Sequence, residues 1–246
     1  MEEYQQELSL VEDYYRRTAA VFEDMEDEAE KYGEQLFENY PATEYTDPAS
    51  VAEWVEEKKV EKYLTLRLMK SNHLLMTVSM LYQMWEQQLI RFTIREMKHH
   101  ISFRKKEMPF EHVLAIFKLH NVDILKTRAW VKLRELKSLV NTVKHGDGNS
   151  ADKLRKIRPD FFELDILKES ELDTIKKADT LELYESVFFD EYALQVSESD
   201  LYAYVNAAKG FWDEFPERAF SETELLLKEL NKLSNKKRKK RSPEDL

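Results

Sequence analysis

"YLTLRLMKSNHLLMTVSMLYQMWEQQLIRFTIREM", residues 63–97, decides the fold class. Wound at about 100° per residue, the apolar residues from Tyr63 to Met97 together cover nearly the whole circumference, with Leu64, Leu68, Leu75, Val78, Leu81, Trp85, Leu89 and Phe92 as the broad stripe among them. A helix apolar on every side belongs at the centre of a bundle, where neighbours on all faces take its surface out of water. No proline interrupts the chain from Ser50 to Met108. The central helix is therefore expected over about 50–100, with a bend at "KSNH", Lys70–His73. Its longest uncharged run, Ser71–Trp85, is too short to span a bilayer and contains Ser, Asn, His, Thr and Gln. It reads as core, with no membrane partner.

Upstream, Leu8, Val11, Tyr15, Ala19, Phe22 and Met25 recur at three- and four-residue steps. They predict one amphipathic helix over 3–39 with a very acidic outer face. "PATEYTDPAS" ends it with two prolines and several turn formers. Downstream, Pro109 opens a short helix in "MPFEHVLAIFKLHNVD". Asp123 is the expected cap of a second helix, about 124–145, that carries Trp130. Another short helix begins near Ser150 and stops at Pro159, and "SESD", Ser197–Asp200, opens a last one ending near Pro216. "VFFDEYALQV", residues 187–196, is the one stretch with strand character.

The expected class is thus all-α: a helical bundle around a long central apolar helix, with at most a small strand element near 187–196. The simplest division is a helical domain over 1–216 followed by a charged helix and basic tail over 217–246. Four glycines in 246 residues suit this class, since a sheet protein of that length needs many more turns.

The chain contains no cysteine, which removes disulfides and thiolate chemistry together and fits a reducing compartment. It opens "MEEYQQEL", with acids where a secretion signal needs bases, so a cytoplasmic location is expected. The net charge of -10 conceals an asymmetry. Residues 1–40 hold thirteen acids against Arg16, Arg17 and Lys31, whereas 126–158 hold ten Lys and Arg against Glu135, Asp147 and Asp152. A polyanion would meet the second segment first.

That basic segment contains "VNTVKHGDGNS", Val140–Ser150. On a helical wheel Trp130, Leu133, Leu136, Leu139, Val140 and Val143 gather on one side, and Arg134, Ser138, Asn141 and His145 form a polar stripe opposite. The plainer reading is a solvent face ending in a glycine cap at Gly146, with His145 favoured by the helix dipole. "NTVKHG" also resembles the core motif of the HEPN superfamily of helical nucleic-acid-processing proteins, in which an arginine, a polar residue and a histidine recur. Asn141 and His145 match that pattern, and Val140 stands where the arginine would be. The wider stretch from Glu135 to Phe162 resembles a set of bacterial proteins without an assigned activity.

The resemblance implies an RNA-binding protein or a metal-independent endoribonuclease of a bacterial toxin or defence system. It would use His145 as acid and base, Asn141 to orient either that histidine or the phosphate, and no cofactor. The missing positive charge would then come from Arg134, Arg95 or Lys144, and Lys137, Lys144, Lys153 and Arg155 would hold the RNA backbone. The alternative is a non-catalytic helical protein that binds a protein partner or a second copy of itself.

Other constellations carry less. "IREMKHH" has Arg95 and His100 at an Arg-x4-His spacing, but polar residues gather naturally at a helix end. The six histidines form no metal-ligand spacing with carboxylates, and "DGNSAD" lacks the regular acids of a calcium loop. "KKRKKR", Lys236–Arg241, fits a nucleic-acid arm or a localisation signal, and equally a solvated end. Tyr202, Tyr204, Phe211 and Trp212 have the spacing of core packing.

Overall fold

The computed structural model describes residues 1–97, 108–119, 122–163, 180–181, 189 and 193–214. These residues are all-α: α1 Glu2–Ala19, α2 Met25–Glu38, α3 Pro48–Met97, α4 Phe110–Leu119, α5 Arg128–His145, α6 Asn149–Ile157 and α7 Glu198–Asp213. The long apolar helix is present as α3, fifty residues running through Lys70–His73 without interruption. Among the described residues there is no strand. Of the stretch 187–196, residues 187–188 and 190–192 lie outside them, as do the basic tail, His99 and His100.

Local chemistry sets the helix starts. Pro48 occupies the first turn of α3, and the Asp47 carboxylate accepts from the Ala49 and Ser50 amides and the Ser50 hydroxyl. Those bonds hold the Asp47 carboxyl below its ordinary range. Ser197 and Asp200 form a reciprocal cap on α7. Asp200 Oδ2 accepts from the Ser197 amide and hydroxyl at 3.0 and 2.7 Å.

Two sequence expectations need correction. The single helix over 3–39 is two helices joined by a 3-10 turn, Ala20–Phe22. The turn sets the Phe22 ring 5.7 Å from that of His73, and the Thr18 hydroxyl bonds His73 Nε2 at 2.7 Å. Tertiary contacts, not a breaker residue, bend the chain there. Secondly, α5 begins at Arg128 and not near 124. Asp123 caps a 3-10 turn, Ile124–Lys126, by accepting from the Leu125 amide. The true α5 start is capped from a distance, since Glu214 accepts from the Arg128 and Ala129 amides at 2.9 and 3.2 Å. A long-range cap leaves no trace in the local sequence.

The chain forms two compact units, and α1, α3, α5 and α7 each contribute to both. The first contains residues 1–9, 80–134 and those from 204 onward. Its interior is aromatic. Trp85, fully buried, has ring neighbours in Phe110, Trp130 and Phe211 at 6.0, 6.3 and 5.4 Å, while Tyr4 stacks on Trp212 at 4.4 Å. Buried Gln88 binds this interior together: its amide donates to the Tyr4 carbonyl and to Glu7, and its oxygen accepts from the Trp212 indole.

The second unit contains residues 10–79 and 135–203. Val11, Leu75, Val78, Leu136, Leu139, Leu154, Phe161 and Leu201 form its apolar interior. Inside it lie two polar centres, at His73 and at Arg158.

Candidate nucleic-acid interface

The polar stripe of α5 splits according to burial. Ser138 is buried, its carbonyl accepting from the Thr142 hydroxyl at 2.9 Å. Asn141 is half-buried, and His145, the last residue of the helix, is exposed. Asn141 and His145 are four residues apart and share a face. Val140 is about 140° away from His145 and 6% exposed. An arginine at position 140 would therefore point into the second unit's apolar interior, not towards the histidine.

Gly146 ends α5 in the left-handed conformation, φ 69°, with its amide donating to the Thr142 carbonyl at 2.8 Å. Nothing lies within 4 Å of where a Cβ would be, so backbone conformation alone calls for glycine. The chain turns through Asp147 and Gly148 and starts α6 at Asn149. Lys144 and Lys153, one on each side of this turn, are exposed, as is Lys156. Among the described residues, none of these lysines forms an ion pair and His145 has no hydrogen-bond partner.

The arginines are differently placed. Arg155 Nη1 contacts Asp147 at 2.7 Å and Asp152 at 3.2 Å, and its guanidinium lies over the Phe162 ring. Its charge is largely spent inside the corner. Lys137 is half-buried. Arg134 is exposed, three helical turns before His145, and belongs with Arg95 to the first unit. Arg95 reaches Glu96 at 3.3 Å and covers the Tyr4 and Phe92 rings.

Among the described residues, a dense cluster of charge lies around Arg158, which the sequence reading did not single out. Arg158 donates from Nη1 to Glu135 and to Asp200, both at 2.8 Å, and from Nε and Nη2 to Asp160. Its guanidinium sits 3.7 Å from the Phe161 ring centroid. Burial opposes its charge, yet the bonds from Asp160, Asp200 and Glu135 outweigh that and raise its pKa. Burial likewise works to raise the pKa of Asp200, but the bonds from Ser197 and Arg158 prevail and lower it. Three carboxylates around one guanidinium make a structural clasp, with little capacity left for a phosphate. The available hint was Glu135, the single acid between Lys126 and His145 in a strongly basic stretch.

Among the described residues no cluster of His, Asp or Glu is arranged to hold a metal ion, and no helix is long and apolar enough to cross a membrane. No protein-family model matches the chain, and neither a curated protein nor a solved structure is significantly similar to it.

Proposed function

We propose that the α5–α6 corner binds the RNA backbone without cutting it, as a degenerate HEPN-like site. One observation carries the reading: Lys144, His145 and Lys153 are exposed and without ion pairs around one turn, while Val140 in the arginine position is buried. Lysines left free in this way contact phosphates as point charges and release counterions. With Val140 buried in the arginine position and Arg155 held by Asp147 and Asp152, the imidazole can still donate to a phosphate but lacks a cation committed to cleavage.

The test is fluorescence anisotropy with a labelled twelve-residue oligo(U) in EDTA, alongside a gel of the same RNA. Contacts from Lys144, Lys153 and the neighbouring exposed Lys156 predict a slope of about -2 in log K against log salt. Replacing Lys144 and Lys153 by Glu should weaken binding by roughly tenfold or more. The RNA should stay whole. No binding at low salt would overturn the proposal, and cleavage that disappears in His145→Ala would replace it with the endoribonuclease reading.

A second reading, a non-catalytic helical protein with a protein partner, is favoured by a different surface: the acidic hairpin of α2 and the start of α3.

A further inference from the structure

Helix α2 and the first turns of α3 run antiparallel within the second unit, as the ion pairs Glu30–Lys59 and Glu28–Lys62 require. Along α2, Glu26, Glu30, Glu34 and Glu38 recur at every fourth residue and stand as one ridge. Like charges at this spacing destabilise a helix, so cations laid along the ridge would relieve its repulsion. Lys59 relieves only part of it. Its stem lies across Gly33, where a Cβ would come within 2.3 Å of Lys59 Cδ, and its ammonium is held by Glu30 and Glu56 at 2.6 and 2.9 Å. Glu34 and Glu38 have no ion pair among the described residues.

Beside the ridge runs an open groove of about 450 Å³, floored by Gly33, Val55 and Ala52 and walled by Phe37. It continues past the Lys59 strap into a second hollow of about 340 Å³, with Ala29, Val60 and Tyr63 in its lining. Phe37 is 53% and Val60 56% exposed. Two helices thus present a seam with an apolar floor, lined by carboxylates of both helices, Glu30, Glu34 and Glu38 on α2 and Glu56 on α3, and crossed by one cation that is already neutralised.

We propose that this seam is a docking groove for a basic amphipathic helix of a partner protein, with an apolar stripe on the floor and Lys or Arg along the Glu ridge. Charge complementarity selects the occupant. A polyanion is repelled by the ridge, and a second copy would place another such ridge against it. A third helix laid in the groove covers Phe37 and Val60 and supplies cations at the same four-residue repeat as Glu26–Glu38. The inference names the partner of the protein-binding reading and rests on it, while standing apart from RNA binding at the α5–α6 corner.

The test uses the full chain and a labelled eighteen-residue peptide of Leu and Lys, with Leu on one helical face and Lys at four-residue intervals on the other. Controls are a scrambled peptide of the same composition and a peptide with Glu replacing Lys. Saturable binding is expected, weakened tenfold or more by Glu34→Lys with Glu38→Lys and severalfold by Phe37→Ser. The scrambled peptide should bind at least fivefold more weakly and the Glu peptide not at all. These changes are on exposed positions, and unchanged circular dichroism and melting confirm that each variant is folded. Equal binding by the scrambled peptide would reduce the seam to unspecific charge and overturn the proposal. So would full affinity in the double Lys variant. Loss of RNA binding with peptide binding intact would leave this inference standing and remove only the other.

Discussion

Trp85 and Arg158 are the two hubs of this molecule, one in each compact unit, and they connect distant parts of the chain by opposite means. Trp85 meets rings from residues 110, 130 and 211 through surface alone, its indole nitrogen having no hydrogen-bond partner. Arg158 reaches residues 135, 160 and 200 through directed bonds, every one of them to a carboxylate. An apolar hub depends on volume and tolerates many geometries. An ionic hub depends on several lone pairs being in place together, and its parts lose most when separated. The two units should therefore fail differently.

The largest effect is expected at the aromatic hub. Trp85→Ala should cost about 3–5 kcal/mol in urea unfolding, the range for truncating a buried aromatic. Trp85→Phe should cost about 1–2 kcal/mol, because volume is lost but no hydrogen bond is. If Trp85→Phe proves as damaging as Trp85→Ala, the hub is not one of volume. Next comes Arg158→Met, expected to cost about 3 kcal/mol because buried Glu135 and half-buried Asp200 are left without their cation. Arg158→Lys should recover only part of the loss, since an ammonium cannot reproduce a planar fork. Adding Glu135→Gln and Asp200→Asn to Arg158→Met should restore most of it. The contrast collapses if the triple variant is no better than the single one.

This difference also explains what could be read in advance. Apolar periodicity announced α3 and placed Trp85, Leu89 and Phe92 in an interior, because burial of one face is written residue by residue. The glycine end of α5 was legible for the same local reason: Gly146 directly follows the last helical turn. The clasp around Arg158 was not, because its carboxylates come from positions 135, 160 and 200 and no spacing rule links them. The break at Ala20–Phe22 and the distant cap from Glu214 were hidden in the same way. In the candidate interface, the wheel placed Asn141 and His145 on one face, as the helix has them. The resemblance implies Arg155 beside Lys137, Lys144 and Lys153 on an RNA backbone, yet its side chain turns back to Asp147 and Asp152. Only tertiary geometry separates a cation available to a ligand from one already paired.

A smaller effect is expected at the turn that displays Lys144 and Lys153. Gly146→Ala should cost about 1 kcal/mol, since φ 69° is strained for any residue with a Cβ and no contact offsets it. Gly146→Asn should cost less, because asparagine tolerates the left-handed region. Under the RNA-binding proposal, both variants should lower affinity for oligo(U) more than their modest destabilisation would suggest. A turn that merely links two helices would leave affinity unchanged.

The smallest effect concerns pH, and it extends the comparison to the other polar centre of the second unit. His73 stacks on Tyr15 at 5.3 Å, has Tyr14 and Phe22 alongside, and bonds the Thr18 hydroxyl. Burial lowers its pKa from the ordinary histidine value. In the unfolded chain the imidazole takes up its proton at higher pH than in the folded protein, so between the two values the unfolded state binds more protons. Its contribution to stability is full above about pH 7 and declines as pH falls through the ordinary value towards the folded one. A lower melting temperature at pH 5.5 than at pH 7.5 is expected from this group. His73→Gln, which keeps a polar atom near Thr18 but does not titrate, should flatten that part of the profile. Asp200 acts in the same direction at lower pH: its stabilisation is present above the ordinary aspartate range and is lost as acid protonates it. Acid should thus weaken the second unit in two successive steps, first at His73 and then at the clasp. The rings around Trp85 respond to neither step; the first unit's own acid response comes from Glu7, whose carboxyl is held below its ordinary range, against burial, by the bonds from Arg91 and Gln88.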